Sequence, residues 1–324
     1  MNVKAVDICY NQQRLRIDYG QSLLEAALQH NLSIANSCRS GICQTCLVKI
    51  TEGDIPPDAQ KGLNHQQIQQ NFALACQLKP QAFLNLESID QQNFAMSQVV
   101  GHDKLNKDVL RLRLQVKQAF NPGQYLTIWQ NEYCGRPYSI ASLNQENILE
   151  FHIKRHESGQ VSRWLHDEIV PGAELTISDA KGQCFYHPGL GGKTILLIGS
   201  GTGLAPLWGI CRDALRQNHD QAIHLVTVNR KVSDLYLHTQ LKILAAEYAR
   251  FSYQAILTDD EYPDCFSGNV LDHLQLQYSK LQNWCIFICG APKLVQKLQR
   301  QCFLNGASLG DIFTDPFLTR YDQT

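Results

Sequence analysis

Four cysteines stand out by their spacing. Cys38, Cys43 and Cys46 are separated by four and then two residues, and Cys76 follows thirty residues later. This is the ligand spacing of a [2Fe-2S] cluster, in which one short loop supplies three thiolates and a distant element supplies the fourth. The Ser-Gly pair inside the loop suits this use, because small residues let the backbone approach the cluster sulfurs. The spacing therefore predicts these four cysteines as metal ligands.

Two other uses of four cysteines are less favoured. Structural zinc sites usually draw their cysteines from two close pairs, whereas here three are close together and one is distant. Disulfides belong to oxidising compartments, and residues 1–7 lack the apolar run of a secretory signal. The other eight of the twelve cysteines are scattered, and we expect most of them to be buried small hydrophobes.

Two short motifs further along the chain indicate a flavin. Arg136, Tyr138 and Ser139 combine a cation that can neutralise a diphosphate, a ring that can stack on an isoalloxazine and a hydroxyl that can bond to it. By themselves these residues also fit an ordinary strand. Residues 159–162, Gly-Gln-Val-Ser, then open a predicted helix whose free N–H groups and positive dipole end suit a phosphate. The two motifs together favour the flavin.

A glycine-rich turn and a cysteine at the end of a strand indicate a dinucleotide. Residues 199–206, Gly-Ser-Gly-Thr-Gly-Leu-Ala-Pro, follow a continuous apolar run and open a predicted helix. Such a turn lets a pyrophosphate approach the backbone, although Leu204 stands where the usual fingerprint has its third glycine. Residues 286–292 form another apolar strand that ends in Cys-Gly-Ala-Pro. Since ligands of open α/β sheets bind at the carboxyl ends of strands, Cys289 is predicted near a nicotinamide, and the alternative is a buried structural thiol.

The elements that must hold the cluster form a first domain. Alternating apolar and polar residues predict strands at residues 3–9, 14–18, 47–50 and 83–86. Ser22 and Glu25 form a capping box that opens a helix ending at about His30. We therefore expect a mixed sheet around one helix that closes near residue 90, before a polar linker beginning at residues 91–93.

The pattern of the remaining chain changes twice. Strands at residues 109–114, 124–129, 136–142, 148–154 and 173–178, with a helix at 161–168, predict a small barrel. From residue 193 onward, strands alternate with helices, as is typical of a doubly wound α/β domain. The predicted strands are 194–198, 222–228, 252–258 and 285–289, and the helices are 204–217, 234–249 and 292–304.

Composition excludes several classes of partner. The 324 residues carry a formal net charge of −1, so no broad basic field indicates nucleic acid or an anionic membrane. No uninterrupted apolar run is long enough to span a bilayer. A cytoplasmic protein is expected.

The order of these motifs resembles the ferredoxin–NADP reductase superfamily. Together with the cysteine loop, essentially the whole chain is similar to the reductase components of bacterial multicomponent oxygenases, of the benzoate dioxygenase reductase and methane monooxygenase reductase type. The resemblance implies a multidomain α+β and α/β fold. Its parts are a β-grasp [2Fe-2S] ferredoxin domain over residues 1–92, a six-stranded antiparallel FAD-binding barrel over 97–189 and a doubly wound parallel NAD(P)-binding α/β domain over 190–324.

The resemblance also implies which residues hold each cofactor. FAD would be held by Arg136, Tyr138 and Ser139, with Ile153, Lys154, Gly159, Gln160, Val161 and Ser162 along its ribityl and diphosphate. The nicotinamide dinucleotide would face Gly201, Thr202, Gly203, Pro206, Arg230, Cys289 and Gly290. The catalytic residues would be Cys289, Ser139 and Phe317.

Two assignments have competing alternatives. Members of the superfamily often cap the flavin with an aromatic residue near the C-terminus; Phe317 is the expected counterpart and Tyr321 is the alternative. The strand after the glycine-rich helix runs into Asn229, Arg230 and Lys231 instead of the acidic residue that reads a free 2′-hydroxyl. Arg230 and Lys231 would suit the 2′-phosphate of NADPH, yet an arginine at this place also occurs in relatives that use NADH, and NADH is the expected donor.

The implied activity is that of an NAD(P)H-dependent electron-transfer reductase. A hydride would pass to FAD, and single electrons would then pass through the [2Fe-2S] cluster to a partner oxygenase. One alternative is a reductase for a non-oxygenase acceptor such as a deoxysugar dehydrase, and another is a redox-sensing flavin and iron–sulfur module without sustained turnover. By analogy, a monomer is expected.

Overall fold

The structure is a computed structural model that describes residues 5–32, 34–36, 39–41, 44–89, 94–131 and 134–317. The predicted ligands Cys38 and Cys43, the alternative flavin cap Tyr321 and the start of the predicted linker lie outside the described residues. The described chain forms two compact units, one with residues up to Phe94 and Ile128–Pro137, the other with Ala95–Thr127 and Tyr138–Phe317. The division into three domains stays a prediction. In the described part, no helix has the length and apolar character needed to cross a membrane.

The first sheet is mixed, as predicted. Its elements are β1 (Val6–Tyr10), β2 (Gln13–Ile17), α1 (Leu23–Gln29), β3 (Leu47–Glu52), α2 (His65–Gln69), β4 (Phe72–Leu74) and β5 (Asn85–Ser88). The strand order is β2-β1-β5-β3-β4, with β1 antiparallel to β2 and parallel to β5. The capping box of α1 is confirmed, because Ser22 N donates to Glu25 Oε2 and Glu25 N donates to Ser22 Oγ. The apolar face of α1 packs with β1 and β2 in one buried cluster.

The second sheet has the six strands that the resemblance implies. They are β6 (Phe94–Lys104), β7 (Val109–Gln115), β8 (Tyr125–Asn131), β9 (Cys134–Ser139), β10 (Ile148–Lys154) and β11 (Glu174–Ser178), with α3 (Gln160–Asp167). The order is β10-β7-β6-β11-β8-β9. Strand β6 was not predicted, because its inward residues include Ser97 and Gly101, which give almost no apolar alternation. Strand β9 begins and ends earlier than the predicted 136–142.

The third sheet is entirely parallel and is covered on both faces by apolar clusters. Its elements are β12 (Thr194–Ser200), α4 (Leu204–Arg216), β13 (Ile223–Asn229), α5 (His238–Glu247), β14 (Phe251–Leu257), β15 (Cys265–Ser267), α6 (Val270–Gln277), β16 (Trp284–Gly290), α7 (Pro292–Leu304) and β17 (Ile312–Pro316). Helix α5 starts later than predicted, because Leu237 has a φ of 56° and interrupts the helical backbone before it. Elements β15, α6 and β17 were not predicted.

Candidate cofactor and electron-transfer sites

The chain order of the third sheet reverses between β12 and β16. The strand order is β15-β14-β13-β12-β16-β17, so β12 lies beside β13 on one side and beside β16 on the other. In open α/β sheets, ligands bind at the carboxyl ends of strands where the order reverses. Both predicted dinucleotide motifs lie at this place, since the turn Gly201–Gly203 follows β12 and Cys289 and Gly290 end β16.

The two turns at the switch point pack directly against each other. A Cβ on Gly203 would overlap the carbonyl oxygen of Cys289, and a Cβ on Gly290 would overlap the hydroxyl oxygen of Ser200. Ser200 Oγ in turn accepts a hydrogen bond of 2.9 Å from Ala291 N. Glycine is therefore required at both positions by close approach. For Gly290 there is a second reason, because its φ is +125°.

The turn before α4 fits a phosphate group. No side chain caps this helix in the described structure, and it begins directly after the glycine turn. The turn is itself a short 3-10 helix, and Leu204 N already donates to the carbonyls of Gly201 and Thr202, so the N–H groups left for a ligand belong to the turn and not to α4. Gly201 and Thr202 are half-buried, whereas Pro206 is buried in the first helical turn, where a missing N–H costs no helical hydrogen bond.

Predicted catalytic residues converge at the ends of β16 and β17. Cys289 is the parallel register partner of Asp315. Phe317 N donates to the carbonyl of Gly290 at 2.8 Å, and Ser139 Oγ donates to Asp315 Oδ2 at 2.8 Å. The structure thus brings Ser139, Cys289 and Phe317 to one place. Asp315, which the sequence analysis did not assign to the site, belongs to the same group.

The two acidic groups of this place have raised pKa values. Burial raises the pKa of Asp315 to about 6, and the hydrogen bond from Ser139 opposes that rise. Burial also raises the pKa of the Cys289 thiol well above its ordinary value, and contact with Cys184 and the nearby Asp315 add to the effect. At neutral pH, Asp315 is therefore mostly ionised, whereas Cys289 is a neutral thiol.

A second thiol touches Cys289. The sulfur of Cys184 lies 3.7 Å from the sulfur of Cys289, and the two residues are separated by 105 positions in the chain. Sequence reasoning treated Cys184 as one of the scattered cysteines, because no local signal connects positions so far apart.

The predicted flavin residues occupy β9, β10 and the start of α3. Arg136 and Tyr138 are half-buried on β9, and Ser139 is buried at its end. Arg136 Nη1 donates to the carbonyl of Gly135 at 2.7 Å. The side chains of Ile153 and Val161 are in the core, with exposed fractions of 0% and 1%, so their backbone is the part that a cofactor could contact.

The start of α3 also suits a phosphate. Gly159 is its N-cap, with no side-chain cap, and a Cβ there would overlap Ser162 Oγ. Ser162 Oγ accepts a hydrogen bond of 3.3 Å from His156 N, which folds the preceding turn over the helix start. Lys154 and Gln160 are exposed beside it. This arrangement leaves helix N–H groups open to an anion.

The described half of the cysteine set is held on two adjoining segments. Ala75 N donates to the carbonyl of Cys46 at 2.9 Å, which joins the segments of Cys46 and Cys76. The two residues are 3% and 8% exposed. Gln77 Nε2 donates to Cys76 Sγ at 3.5 Å. Buried thiols that receive an amide N–H suit an iron–sulfur cluster, whose sulfurs carry negative charge.

The segment just before the cysteine loop contacts the first residue of β9. Asn36, two residues before Cys38, forms a parallel bridge with Cys134, the first residue of β9. Asn36 is buried and its side-chain oxygen accepts a hydrogen bond of 3.1 Å from Arg39 Nε inside the loop. Both partners of the bridge belong to the first compact unit.

The residues predicted to read the adenosine end are exposed. Arg230 and Lys231 follow β13, whose carboxyl end is adjacent to that of β12. Backbone contacts fix this turn, since Asp259 N donates to the carbonyl of Arg230 at 2.9 Å and Lys231 N donates to Asp234 Oδ2 at 3.1 Å.

Three family models match successive parts of the chain. A 2Fe-2S iron–sulfur cluster binding domain matches residues 6–81, an oxidoreductase FAD-binding domain matches 96–186 and an oxidoreductase NAD-binding domain matches 197–300.

Similar proteins match over nearly the whole length. The ferredoxin–NAD(P)(+) reductase component of the naphthalene 1,2-dioxygenase/salicylate 5-hydroxylase systems of a Ralstonia species is 30% identical over 313 residues, which cover 94% of this chain and 95% of that protein. The reductase subunit of an aromatic O-demethylase from an Amycolatopsis species is 28% identical, with coverage of 88% and 90%. Among solved structures, the ferredoxin reductase in carbazole 1,9a-dioxygenase has a TM-score of 0.67 at 26% identity, covering 98% of this chain and 99% of its own.

Proposed function

The chain belongs to the ferredoxin–NAD(P)(+) reductase components of oxygenase systems, and from this premise we propose which residues carry its electron transfer and which partner receives the electrons. It is an NAD(P)H-dependent oxidoreductase that uses FAD and a [2Fe-2S] cluster. When bound, the flavin accepts a hydride from the nicotinamide and releases electrons singly to the cluster. The observation that carries the residue assignment is the convergence of Ser139, Asp315 and Cys289 at the end of β16.

The glycine turn and Cys289 bind and orient the dinucleotide. The N–H groups of the turn Gly201–Gly203 would hold the pyrophosphate. The side chain of Cys289 is 1% exposed, so the backbone at the end of β16 is the part that would face the nicotinamide, and the neutral thiol beneath it would exchange no proton. Phe317, whose backbone nitrogen donates to the carbonyl of Gly290, would supply the aromatic ring that caps the flavin.

Ser139 and Asp315 handle the proton. Asp315 is mostly ionised at neutral pH because its pKa is about 6, so its carboxylate could accept the proton that oxidation of a bound flavin would release. The hydroxyl of Ser139 relays this proton to the Asp315 carboxylate over the 2.8 Å hydrogen bond.

Arg136, Tyr138 and the start of α3 hold FAD, and four cysteines hold the cluster. The residues along the ribityl and diphosphate are Ile153 and Val161 through their backbone, and Lys154, Gly159, Gln160 and Ser162. The cluster ligands are Cys38, Cys43, Cys46 and Cys76.

Two artificial electron acceptors distinguish electron transfer from the flavin from electron transfer through the cluster. Ferricyanide takes electrons from reduced flavin, whereas cytochrome c is expected to receive them through the cluster. Replacement of Cys76 by Ser should abolish NADH-dependent reduction of cytochrome c and leave ferricyanide reduction within about twofold, because only the cluster is lost. Equal loss of both activities would contradict the proposed order. Sustained turnover in either assay would exclude the redox-sensing alternative.

The acceptor that we propose is a terminal oxygenase component acting on an aromatic compound. The similar proteins named above serve dioxygenase, hydroxylase and O-demethylase systems. Reconstitution with such a component should couple NADH consumption to product formation at close to one to one. If the chain instead reduced only a dehydrase partner, this proposal would be wrong.

Donor, assembly and location complete the proposal. We propose NADH as the donor, with Arg230 and Lys231 at the adenosine end. Replacement of both by Ala should change kcat/KM for NADH by less than about threefold and reduce any NADPH activity more strongly, because a 2′-phosphate would lose two cations.

We also propose a cytoplasmic monomer that binds neither membrane nor nucleic acid, and the net charge of −1 supports the absence of binding to anionic partners. Sedimentation velocity of the holoprotein tests the oligomeric state.

A further inference from the structure

We propose that Cys184 and Cys289 form a dithiol that a peroxide converts into a disulfide, which makes this pair a reversible modification site on the hydride path. The two sulfurs are already in contact at 3.7 Å. The formation of the disulfide is independent of the proposed function, whereas its effect on activity rests on the proposed place of Cys289 beside the nicotinamide.

The geometry favours this pair because it joins two separate elements. Cys184 lies in the connection between β11 and β12, and Cys289 lies at the end of β16. A disulfide bond is about 2.05 Å long, so the sulfurs must approach by about 1.7 Å. Rotation about the Cα–Cβ bonds supplies this movement while the sulfurs remain within the same buried cluster.

Both backbones are held in place while the sulfurs move. A Cβ on Gly123 would overlap the carbonyl oxygen of Cys184, and one on Gly203 would overlap that of Cys289. A disulfide between backbones that adjust little is more easily reduced than a relaxed one. The modification is therefore expected to be reversible by ordinary thiols.

The exposed fractions of the two thiols indicate which one reacts first with the peroxide. Cys184 is 6% exposed and Cys289 is 1% exposed, so a small oxidant reaches Cys184 first. The sulfur of Cys184 attacks one peroxide oxygen, the O–O bond breaks and a sulfenic acid and one water form. The sulfur of Cys289 then attacks the sulfenic sulfur, the S–O bond breaks and a second water leaves. Two thiols lose two electrons and two protons, and one hydrogen peroxide becomes two waters.

The consequence for hydride transfer follows from position. In the dithiol form, the thiol of Cys289 lies in the buried apolar cluster directly beneath the end of β16. In the disulfide form, this sulfur moves toward Cys184, and a covalent bond links the β11–β12 connection to β16. The end of β16 would be shifted from the position in which it orients the nicotinamide, and we expect NADH-dependent ferricyanide reduction to fall by about tenfold.

The test uses the holoprotein treated with hydrogen peroxide, followed by catalase, thiol blocking and trypsin without reductant. Cleavage after lysine gives peptide 182–193 with Cys184 and peptide 281–293 with Cys285 and Cys289. Mass spectrometry should find these two peptides joined in the wild type and in Cys285→Ala. They should be separate in Cys184→Ala. Dithiothreitol should restore both separate peptides and ferricyanide activity.

The Cys184→Ala variant is expected to keep its activity through the same peroxide treatment. Cys302→Ala is the matched control, since Cys302 is fully buried in a different apolar cluster and its loss should leave the cross-link intact. Absence of the joined peptides in the wild type, or a link from Cys184 to Cys285, would overturn the site. Joined peptides with unchanged ferricyanide reduction would refute the effect on the hydride path, while untreated activity tests the proposed function separately.

Discussion

The hydroxyl of Ser139 donates a hydrogen bond of 2.8 Å to the carboxylate of Asp315, which joins the end of β9 to β17. The two residues are 176 positions apart. Asp315 is also the register partner of Cys289. The residues proposed to handle the proton and to orient the nicotinamide therefore occupy one place, and several consequences can be measured.

Electron delivery should depend on the ionisation of Asp315. Because burial raises its pKa to about 6, the carboxylate can accept a proton above that pH and loses this capacity as the pH falls through it. In wild type, the rate of cluster reduction after rapid mixing with NADH should rise about tenfold from pH 5 to pH 7. In Asp315→Asn the rate should be low and nearly independent of pH. An unchanged profile in this variant would exclude Asp315 as the proton acceptor.

The contribution of Asp315 to folding stability should fall as the pH rises, whereas the rate of cluster reduction should increase. The folded-state pKa of Asp315, about 6, lies above its ordinary value of 3.8, so the folded state holds the proton more tightly. The resulting stabilisation is fully present below about pH 4 and is lost as the pH rises through 6. At pH 8, Asp315→Asn should raise the free energy of unfolding by about 2 kcal/mol, since the charge of a partly buried carboxylate is removed. Urea unfolding at pH 5 and pH 8 measures this, and a destabilised variant at pH 8 would contradict it.

The contact between the two glycine turns should be needed for nucleotide binding. In Gly203→Ala, the new methyl group would overlap the carbonyl oxygen of Cys289 and push the turns apart. We expect KM for NADH to rise about tenfold while bound FAD is retained, because the strain is at the nucleotide turn. Gly191→Ala is the control, since its Cβ would lie at an ordinary 3.4 Å from Pro188 O. Equal KM values in the two variants would refute this role.

Gln77 should tune the cluster. Its amide N–H points at Cys76 Sγ from 3.5 Å, and hydrogen bonds to ligand sulfurs favour the reduced cluster. Loss of one such bond in Gln77→Leu should lower the reduction potential by about 40 mV, which corresponds to about 1 kcal/mol for one electron. Redox titration followed by electron paramagnetic resonance measures it. Gln29→Leu, which removes the acceptor of a bond from Gln21 Nε2 outside the cysteine loop, should leave the potential unchanged, and a shift of equal size there would argue against a specific effect of Gln77.

Local sequence signals predicted most of the fold. The capping box at Ser22, the neighbouring strands β1 and β2 and helix α7 are confirmed, because each depends on residues that are close together in the chain. Strand β6 was not predicted because small and polar residues face inward. Strand β17 was not predicted because Asp315 and Pro316 are atypical of a parallel strand and only its first residue, Ile312, is buried. The cofactor motifs were visible because each is short and continuous.

The parts of the site that the sequence did not predict are contacts between residues that are far apart in the chain. The hydrogen bond to Asp315 and the sulfur contact of Cys184 depend on how distant strands are arranged. A single sequence contains no periodicity that connects positions more than a hundred residues apart. Ile153 and Val161 illustrate the same limit, since a motif places them near a cofactor while the fold buries their side chains.

The central claim is the electron path from NADH through FAD to the [2Fe-2S] cluster. Anaerobic titration of the purified holoprotein with NADH, and separately with NADPH, followed by its visible spectrum tests this path most directly. We expect the flavin and iron–sulfur absorption bands to bleach together at micromolar NADH, with NADPH less effective. A cluster that stays oxidised while the flavin is reduced, or a protein without a flavin band, would contradict the account.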